Sequence, residues 1–176
     1  MREAFKKQSS NSAVFLDRDG VLNQDHGYVY RPEDFDWMPG AKRAVKLLNS
    51  LEMPVIVITN QSGIARGYYT EEQFHALTDW MRKELASAGA HLDDIFFCPH
   101  HPQGPPDEDR GVCRCRKPAP GMILAAAEKW NLDLKSSHLI GDKESDLEAG
   151  AQAGISNLHL FEGGNLYDFL KERLQV

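Results

Sequence analysis

The chain has 176 residues and a mass of 19.8 kDa, the usual size of one domain with a buried core. Hydrophobic residues make up 41% of it and charged residues 26%, and no apolar run approaches the roughly 20 residues of a membrane helix. A net charge of −6 argues against a nucleic-acid partner, since such proteins usually carry a basic face. We therefore expect a cytoplasmic protein that binds neither membrane nor nucleic acid.

The N-terminal residues 1–11 are basic but lack the apolar stretch and cleavage site of a secretion signal. We interpret them as a flexible lead-in to a single domain over residues 1–176. The three cysteines suit a reducing compartment better than a disulfide framework.

Strand-like apolar runs alternate five times with segments of helical periodicity, a pattern typical of a parallel sheet flanked by helices. We therefore predict an α/β, doubly wound, mainly parallel five-stranded sheet with helices on both faces and no large cap domain. Ligands of such sheets bind beyond the carboxyl ends of the strands. The predicted strands are 13–16, 54–59, 94–98, 137–141 and 155–161, and the predicted helices are 41–51, 70–88, 121–130, 144–153 and 166–174.

Two carboxylates, Asp17 and Asp19, follow the first predicted strand, and Gly20 then allows a sharp turn. An aspartate can attack phosphorus and form an acyl phosphate that water later removes, while a second acid moves the protons. The pattern thus predicts phosphoryl transfer. An ordinary acidic turn is the alternative, because Asp and Gly are common turn residues.

Two further segments carry groups that could bind phosphate, one after the second predicted strand and one before the third predicted helix. Residues 59–62 after the second strand offer a hydroxyl, amides and backbone donors that can hold a phosphate without adding charge. Before the third helix, Lys117 could neutralise the transferring phosphoryl group, and the planar fork of Arg116 suits a second phosphate. A capped turn and a solvated basic loop are the respective alternatives.

A magnesium site is indicated where Asp142 follows the fourth strand. Mg²⁺ needs only one or two carboxylates, so Asp17, Asp142 and the backbone carbonyl of Asp19 would suffice. Asp146 could brace this loop or Lys143, although both acids could simply favour a helix N-terminus. All four segments lie at strand or helix boundaries of one α/β pattern, which favours a single site.

All three cysteines lie in two short motifs, Cys98-Pro99-His100 and Cys113-Arg114-Cys115. With one imidazole they form a Cys₃His set, which fills the tetrahedron of a structural zinc ion. We predict a zinc-stapled loop over residues 98–115. His101 is a second candidate for the imidazole, and reduced cysteines without a metal are the alternative.

The four phosphate-binding and acidic segments resemble the signature motifs of the haloacid dehalogenase superfamily of phosphohydrolases, over roughly residues 13–160. The resemblance implies a phosphoric monoester hydrolase with the strand order 3-2-1-4-5. It assigns the nucleophile to Asp17, the general acid/base to Asp19, a phosphate ligand to Thr59, the phosphate-site cation to Lys117 and a magnesium ligand to Asp142.

Residues 25–29, 59–67 and 98–104, together with the cysteines, resemble the zinc-containing, histidinol-phosphatase-like family within this superfamily. This implies a small sugar bisphosphate as substrate, with Mg²⁺ and Zn²⁺ as cofactors, and it favours His100 as the zinc ligand. We also expect a monomer. Arg66, Arg110, Arg114 and Arg116 could anchor a second phosphate, whereas a histidinol ammonium would need acids nearby. Histidinol-phosphate phosphatase and a zinc-stapled metal-binding module without turnover remain as alternatives. The substrate contacts implied are Asp25, His26, Gly27, Tyr28, Thr59, Asn60, Gln61, Ser62, Arg116, Lys117 and Lys143.

Overall fold

The computed structural model describes residues 11–102 and 113–176. The predicted lead-in, apart from residue 11, and the middle of the 98–115 loop, including Arg110, lie outside the described residues, and the single domain stays a prediction. The strands are β1 Val14–Leu16, β2 Val55–Asn60, β3 Asp94–Cys98, β4 His138–Gly141 and β5 Asn157–Leu160. The helices are α1 Ala41–Ser50, α2 Glu71–Ser87, α3 Gly121–Trp130, α4 Glu144–Ala153 and α5 Leu166–Leu174, with a 3-10 helix at Pro32–Asp34 that was not predicted.

All pairings between these strands are parallel, in the order β3-β2-β1-β4-β5, so the expected topology is confirmed. Leu16 at the end of β1 is in register with Val57 of β2 on one side and Ile140 of β4 on the other. The chain therefore crosses from one side of β1 to the other. The carboxyl ends of β1, β2 and β4 meet at this switch point, where ligands bind in such sheets.

Helices cover both faces of the sheet, as predicted. Val14 and Leu16 pack into a layer formed by α1, α2 and α5, whereas Phe15 between them packs against α3 and α4. All three side chains are fully buried, which explains why the strand is a continuous apolar run. Both layers hold β1 rigidly, and the acids that follow it are fixed with it. None of the helices in the described part of the chain is long and apolar enough to cross a membrane.

Candidate active site

Lys117, in the loop before α3, contacts Asp17, the first acid after β1. Lys117 Nζ lies 2.8 Å from Asp17 Oδ1 and 2.6 Å from Asp146 Oδ1, and it donates to the carbonyl oxygen of Ile58 at 2.9 Å. Burial opposes the charge of Lys117, but the two carboxylates outweigh it and raise its pKa above the usual value. The ammonium is therefore a fixed positive charge at the switch point.

The Asp17 carboxylate is buried so deeply that its charge is costly. Burial raises its pKa to about 8 although Lys117 attracts the ionised form, and repulsion from Asp146 adds to the rise. The ionised form of Asp17 would thus need positive charge beyond that of Lys117.

Three carboxylates, from Asp17, Asp142 and Asp146, place oxygens within 4.8 Å of one another and could hold a metal ion. Asp142 Oδ1 is buried and has no hydrogen-bond partner in the described residues, and burial raises the pKa of this carboxyl. Gly20 lies against the same carboxylate, has a φ of +95° and would overlap it if it carried a Cβ. The turn after β1 therefore needs glycine both for its conformation and for this approach.

Asp146 has a wider role than the sequence indicated. Its Oδ2 accepts the backbone N–H groups of Asp142 and Lys143, both at 3.1 Å, while its Oδ1 pairs with Lys117. The first contacts agree with a brace for the loop. The pairing with Lys117 was missed, because that lysine comes from a distant segment and no local spacing reports it.

The second acid after β1, Asp19, is surrounded by donors. Its carboxylate accepts from Arg18 Nε at 3.1 Å and Nη2 at 2.9 Å, from Asn23 Nδ2 at 3.0 Å and from Gln61 Nε2 at 3.2 Å. Burial would raise its pKa, but these donors lower it below the usual value. Arg18 is 2% exposed and also donates to the carbonyl of Val29, so it is a structural partner that sequence analysis missed.

The predicted phosphate segment after β2 borders this acid. Thr59 is 1% exposed, and its Oγ1 lies 2.8 Å from Gln61 Nε2. Asn60 exchanges two hydrogen bonds with the backbone of Lys117, and Ser62 follows in the turn, half-buried. The structure therefore brings Asn60 to the backbone of Lys117, and Gln61 with Thr59 to Asp19.

The loop of residues 25–28 lies beside the end of β4. Asp25 Oδ2 lies 3.2 Å from Lys143 Nζ, which is 4.0 Å from Asp142 Oδ2, so the loop is tied to the end of β4. Tyr28 is 46% exposed with a φ of +53°, following Gly27. His26 contacts Asp36 instead, with 2.7 Å between Nε2 and Oδ2, and its imidazole takes no part in these contacts of the site.

The cysteine motifs converge on one imidazole. His100 Nδ1 lies 3.1 Å from Cys113 Sγ, 3.3 Å from Cys115 Sγ and 3.5 Å from Cys98 Sγ, and the four side chains could hold a metal ion. His101 Nε2 instead lies 2.8 Å from Arg66 Nη2. Three thiols and one imidazole are a ligand set typical of structural zinc sites. Arg116, next to Cys115, donates to the carbonyl of His100 at 3.3 Å.

The strand order, and the meeting of Asp17, Lys117 and Asp142 at the switch point, agree with what the resemblance to the haloacid dehalogenase superfamily implies. Residues 114–165 match the family model described as HAD-hydrolase-like.

Relatives of known activity that are similar in sequence indicate a more specific family. The chain is 47% identical over 152 residues to the D-glycero-beta-D-manno-heptose-1,7-bisphosphate 7-phosphatase of Escherichia coli O6:H1, which covers 86% of this chain and 80% of the relative. It is 48% identical over 152 residues to the D-glycero-alpha-D-manno-heptose-1,7-bisphosphate 7-phosphatase of Photorhabdus laumondii, covering 86% and 83%.

A crystal structure of the D,D-heptose 1,7-bisphosphate phosphatase from B. bronchiseptica, complexed with magnesium and phosphate, is similar in fold. It is 38% identical with a TM-score of 0.78, and covers 92% of this chain and 86% of that chain. The chain belongs to the family of heptose-1,7-bisphosphate 7-phosphatases and is a phosphoric monoester hydrolase. The alternative of a module without turnover is set aside.

Proposed function

We propose that the chain is a cytoplasmic, monomeric phosphatase that removes the 7-phosphate of D-glycero-D-manno-heptose 1,7-bisphosphate, in the pathway to the ADP-heptose of lipopolysaccharide cores. The observation that carries the chemistry is the buried contact of 2.8 Å between Lys117 Nζ and Asp17 Oδ1 at the switch point of the sheet. The substrate rests on the relatives that share nearly half of the sequence.

Asp17 is the proposed nucleophile. Its carboxylate oxygen attacks the phosphorus in line and forms an acyl phosphate, while the bond between phosphorus and the C7 oxygen breaks. Lys117 stabilises the charge on the transferring group, and the Thr59 hydroxyl donates to one of its oxygens. Water then attacks the phosphorus and releases Asp17 with inorganic phosphate.

Asp19 is the proposed proton carrier. It protonates the leaving C7 oxygen and later accepts a proton from the attacking water. Its four hydrogen bonds keep the carboxylate ionised, which is the form needed in the second step. The first step needs a proton to reach Asp19 beforehand.

Asp17 and Asp142 are the proposed magnesium ligands, with the backbone carbonyl of Asp19. The buried, unpartnered Oδ1 of Asp142 and the raised pKa of Asp17 both fit a cation between them. Both oxygens of Asp146 are already engaged, by Lys117 and by backbone N–H groups. When bound, the ion would neutralise negative charge on the phosphoryl oxygens.

Three cationic side chains near the proposed site favour a substrate with a second phosphate over one with an ammonium group. Arg116 and Arg66 contact the segment at His100 and His101, and Lys143 lies beside Asp142. The acid of the nearby loop, Asp25, is already paired with Lys143. We therefore favour a bisphosphate over histidinol phosphate, with residues 25–28 and Ser62 lining the sugar site.

A substrate panel tests this assignment. We expect kcat/KM for heptose 1,7-bisphosphate to exceed that for histidinol phosphate and fructose 1,6-bisphosphate by at least about 100-fold. Both anomers belong in the panel, since relatives named for the beta and the alpha substrate are 47% and 48% identical to this chain. A higher kcat/KM for histidinol phosphate would contradict the assignment.

Zinc is the proposed ion of the Cys₃His set, and two neighbouring histidines test it. His100→Ala is expected to lower the metal content from about one zinc per chain and to raise KM, because Arg116, a proposed substrate contact, follows directly on Cys115 and donates to the carbonyl of His100. His101→Ala is the matched control and should retain zinc. The check is elemental analysis of the purified variants, and equal zinc in both would exclude His100 as a ligand.

A further inference from the structure

The side-chain amide of Gln61 faces into the protein. It is 2% exposed. Its Oε1 accepts the hydroxyl of Tyr69, while its Nε2 donates to Thr59 Oγ1 at 2.8 Å and to Asp19 Oδ2 at 3.2 Å. A primary amide has two N–H donors, and both are used here. No donor of this amide is left for a substrate.

Tyr69 holds the carbonyl end of this amide. Its ring is 5% exposed, stacks on Tyr30 with centroids 5.2 Å apart, and would be overlapped by any Cβ on Gly63. Burial raises the pKa of its hydroxyl to about 12, so it remains a donor at neutral pH. The carboxylate of Asp19 can only accept, so the N–H groups of Gln61 face Asp19 and Thr59, and the carbonyl oxygen of Gln61 faces the Tyr69 hydroxyl, which donates to it.

The hydroxyl of Thr59 is oriented as a result. Because its oxygen accepts a hydrogen from Gln61, its own hydrogen points away from that amide and is available to a phosphoryl oxygen. A donor oriented before the reaction needs no rearrangement in the transition state, which is why such donors are worth so much in catalysis.

Asn60 holds the other catalytic group. Its Oδ1 accepts the backbone N–H of Lys117 at 3.0 Å, and its Nδ2 donates to the backbone carbonyl of Lys117 at 3.1 Å. This two-bond clamp joins the end of β2 to the loop before α3. It fixes the point from which the Lys117 side chain reaches Asp17.

We propose that the side chains of Asn60 and Gln61 are positioning groups, in place of the substrate contacts implied by the family resemblance. Asn60 sets the position of Lys117, and Gln61, held by Tyr69, orients the Thr59 hydroxyl and Asp19. The inference rests on the proposed function, because it concerns groups that act in that reaction. It predicts losses in kcat with little change in KM.

Gln61→Glu tests the first half. The carboxylate has nearly the shape of the amide but donates to neither Thr59 nor Asp19, so we expect kcat to fall about 100-fold with KM within about twofold of the parent. Inhibition by orthovanadate, which mimics the transition state, should weaken in parallel. Gln73→Glu is the control, an exposed amide whose oxygen accepts the N–H of Thr70, and it should leave kcat unchanged.

Asn60→Asp tests the second half, and the chain offers a matched control. Asn49 clamps the backbone of His91 with the same two bonds, at 2.9 Å and 3.1 Å, away from the site. We expect Asn60→Asp to lower kcat about 10-fold through displacement of Lys117, and Asn49→Asp to leave kcat unchanged.

Two results would overturn the inference: a raised KM with intact kcat in Gln61→Glu or Asn60→Asp, which is the sign of substrate contacts, or unchanged kinetics. Tyr69→Phe, with a smaller expected loss in kcat, covers the case in which Gln61→Glu does not fold. Asp17→Asn in the same series separates a failure of the proposed function from a failure of this inference. Turnover that survives Asp17→Asn contradicts the proposed function, whereas turnover that it abolishes leaves only the roles of Asn60 and Gln61 at issue.

Discussion

Replacement of Asp17 by asparagine is expected to lower kcat at least about 10⁴-fold while the protein remains folded. The amide has nearly the shape of the carboxylate and can still accept a hydrogen bond from Lys117 Nζ, but it cannot form the acyl phosphate. Burial already raises the pKa of Asp17 to about 8, so the fold disfavours its charge and a neutral side chain should not destabilise it.

The Asp17→Asn experiment combines single-turnover kinetics with thermal unfolding. Asp168→Asn is a suitable control, because this aspartate lies exposed at the start of α5; its rate should equal that of the parent. A residual rate within about 10-fold of the parent for Asp17→Asn, with native stability, would show that another group attacks phosphorus.

Lys117→Met is expected to damage both activity and stability. It removes the ammonium between Asp17 and Asp146, which leaves two buried carboxyl groups without a positive partner. Breaking a buried ion pair in this way costs about 3–5 kcal/mol of unfolding free energy. Loss of the positive charge that stabilises the phosphoryl group should lower kcat about 10³-fold.

The pH dependence of this destabilisation has a definite sign. Because the folded-state pKa of Asp17 is raised above its unfolded value, the folded protein takes up a proton as pH falls through about 8, and stability rises in that direction. Urea unfolding of the parent and of Lys117→Met should therefore both show a higher free energy of unfolding at pH 6 than at pH 8. Without Lys117 the pKa of Asp17 can only rise further, so the gain between pH 8 and pH 6 should be at least as large in the variant as in the parent.

A double variant separates the two roles of Lys117. Asp146→Asn added to Lys117→Met removes one of the facing charges and should restore part of the stability but none of the activity. Lys46→Met, on the exposed side of α1, is the control and should change neither quantity. Restoration of activity in the double variant would argue against a direct action of Lys117 on the phosphoryl group.

The elements were predictable because burial leaves a periodic pattern in the sequence. Prediction and structure differ where a residue is buried without being paired in the sheet. Residues 155–161 were predicted as a strand, but pairing covers only Asn157–Leu160, since Ile155 and Phe161 are buried core residues beyond the ladder. The strand order came from the family resemblance, as a pattern of alternation does not specify it.

Contacts between distant segments were beyond the sequence. The pairing of Asp146 with Lys117 and the inward amide of Gln61 depend on how two segments are oriented after folding. The adjacent His100 and His101 could not be separated by spacing, because only the direction of the backbone decides which imidazole faces the cysteines. Local patterns thus located the site but did not give the partner of each side chain.

The most direct measurement of the central claim is phosphorus NMR of the reaction with heptose 1,7-bisphosphate. The proposed function predicts that the resonance of the phosphate at C7 disappears, that inorganic phosphate appears in equal amount, and that the resonance of the anomeric phosphate at C1 persists. The Asp17→Asn variant should leave both ester resonances unchanged. Loss of the anomeric phosphate, or persistence of both esters with the parent enzyme and Mg²⁺, would contradict the assignment.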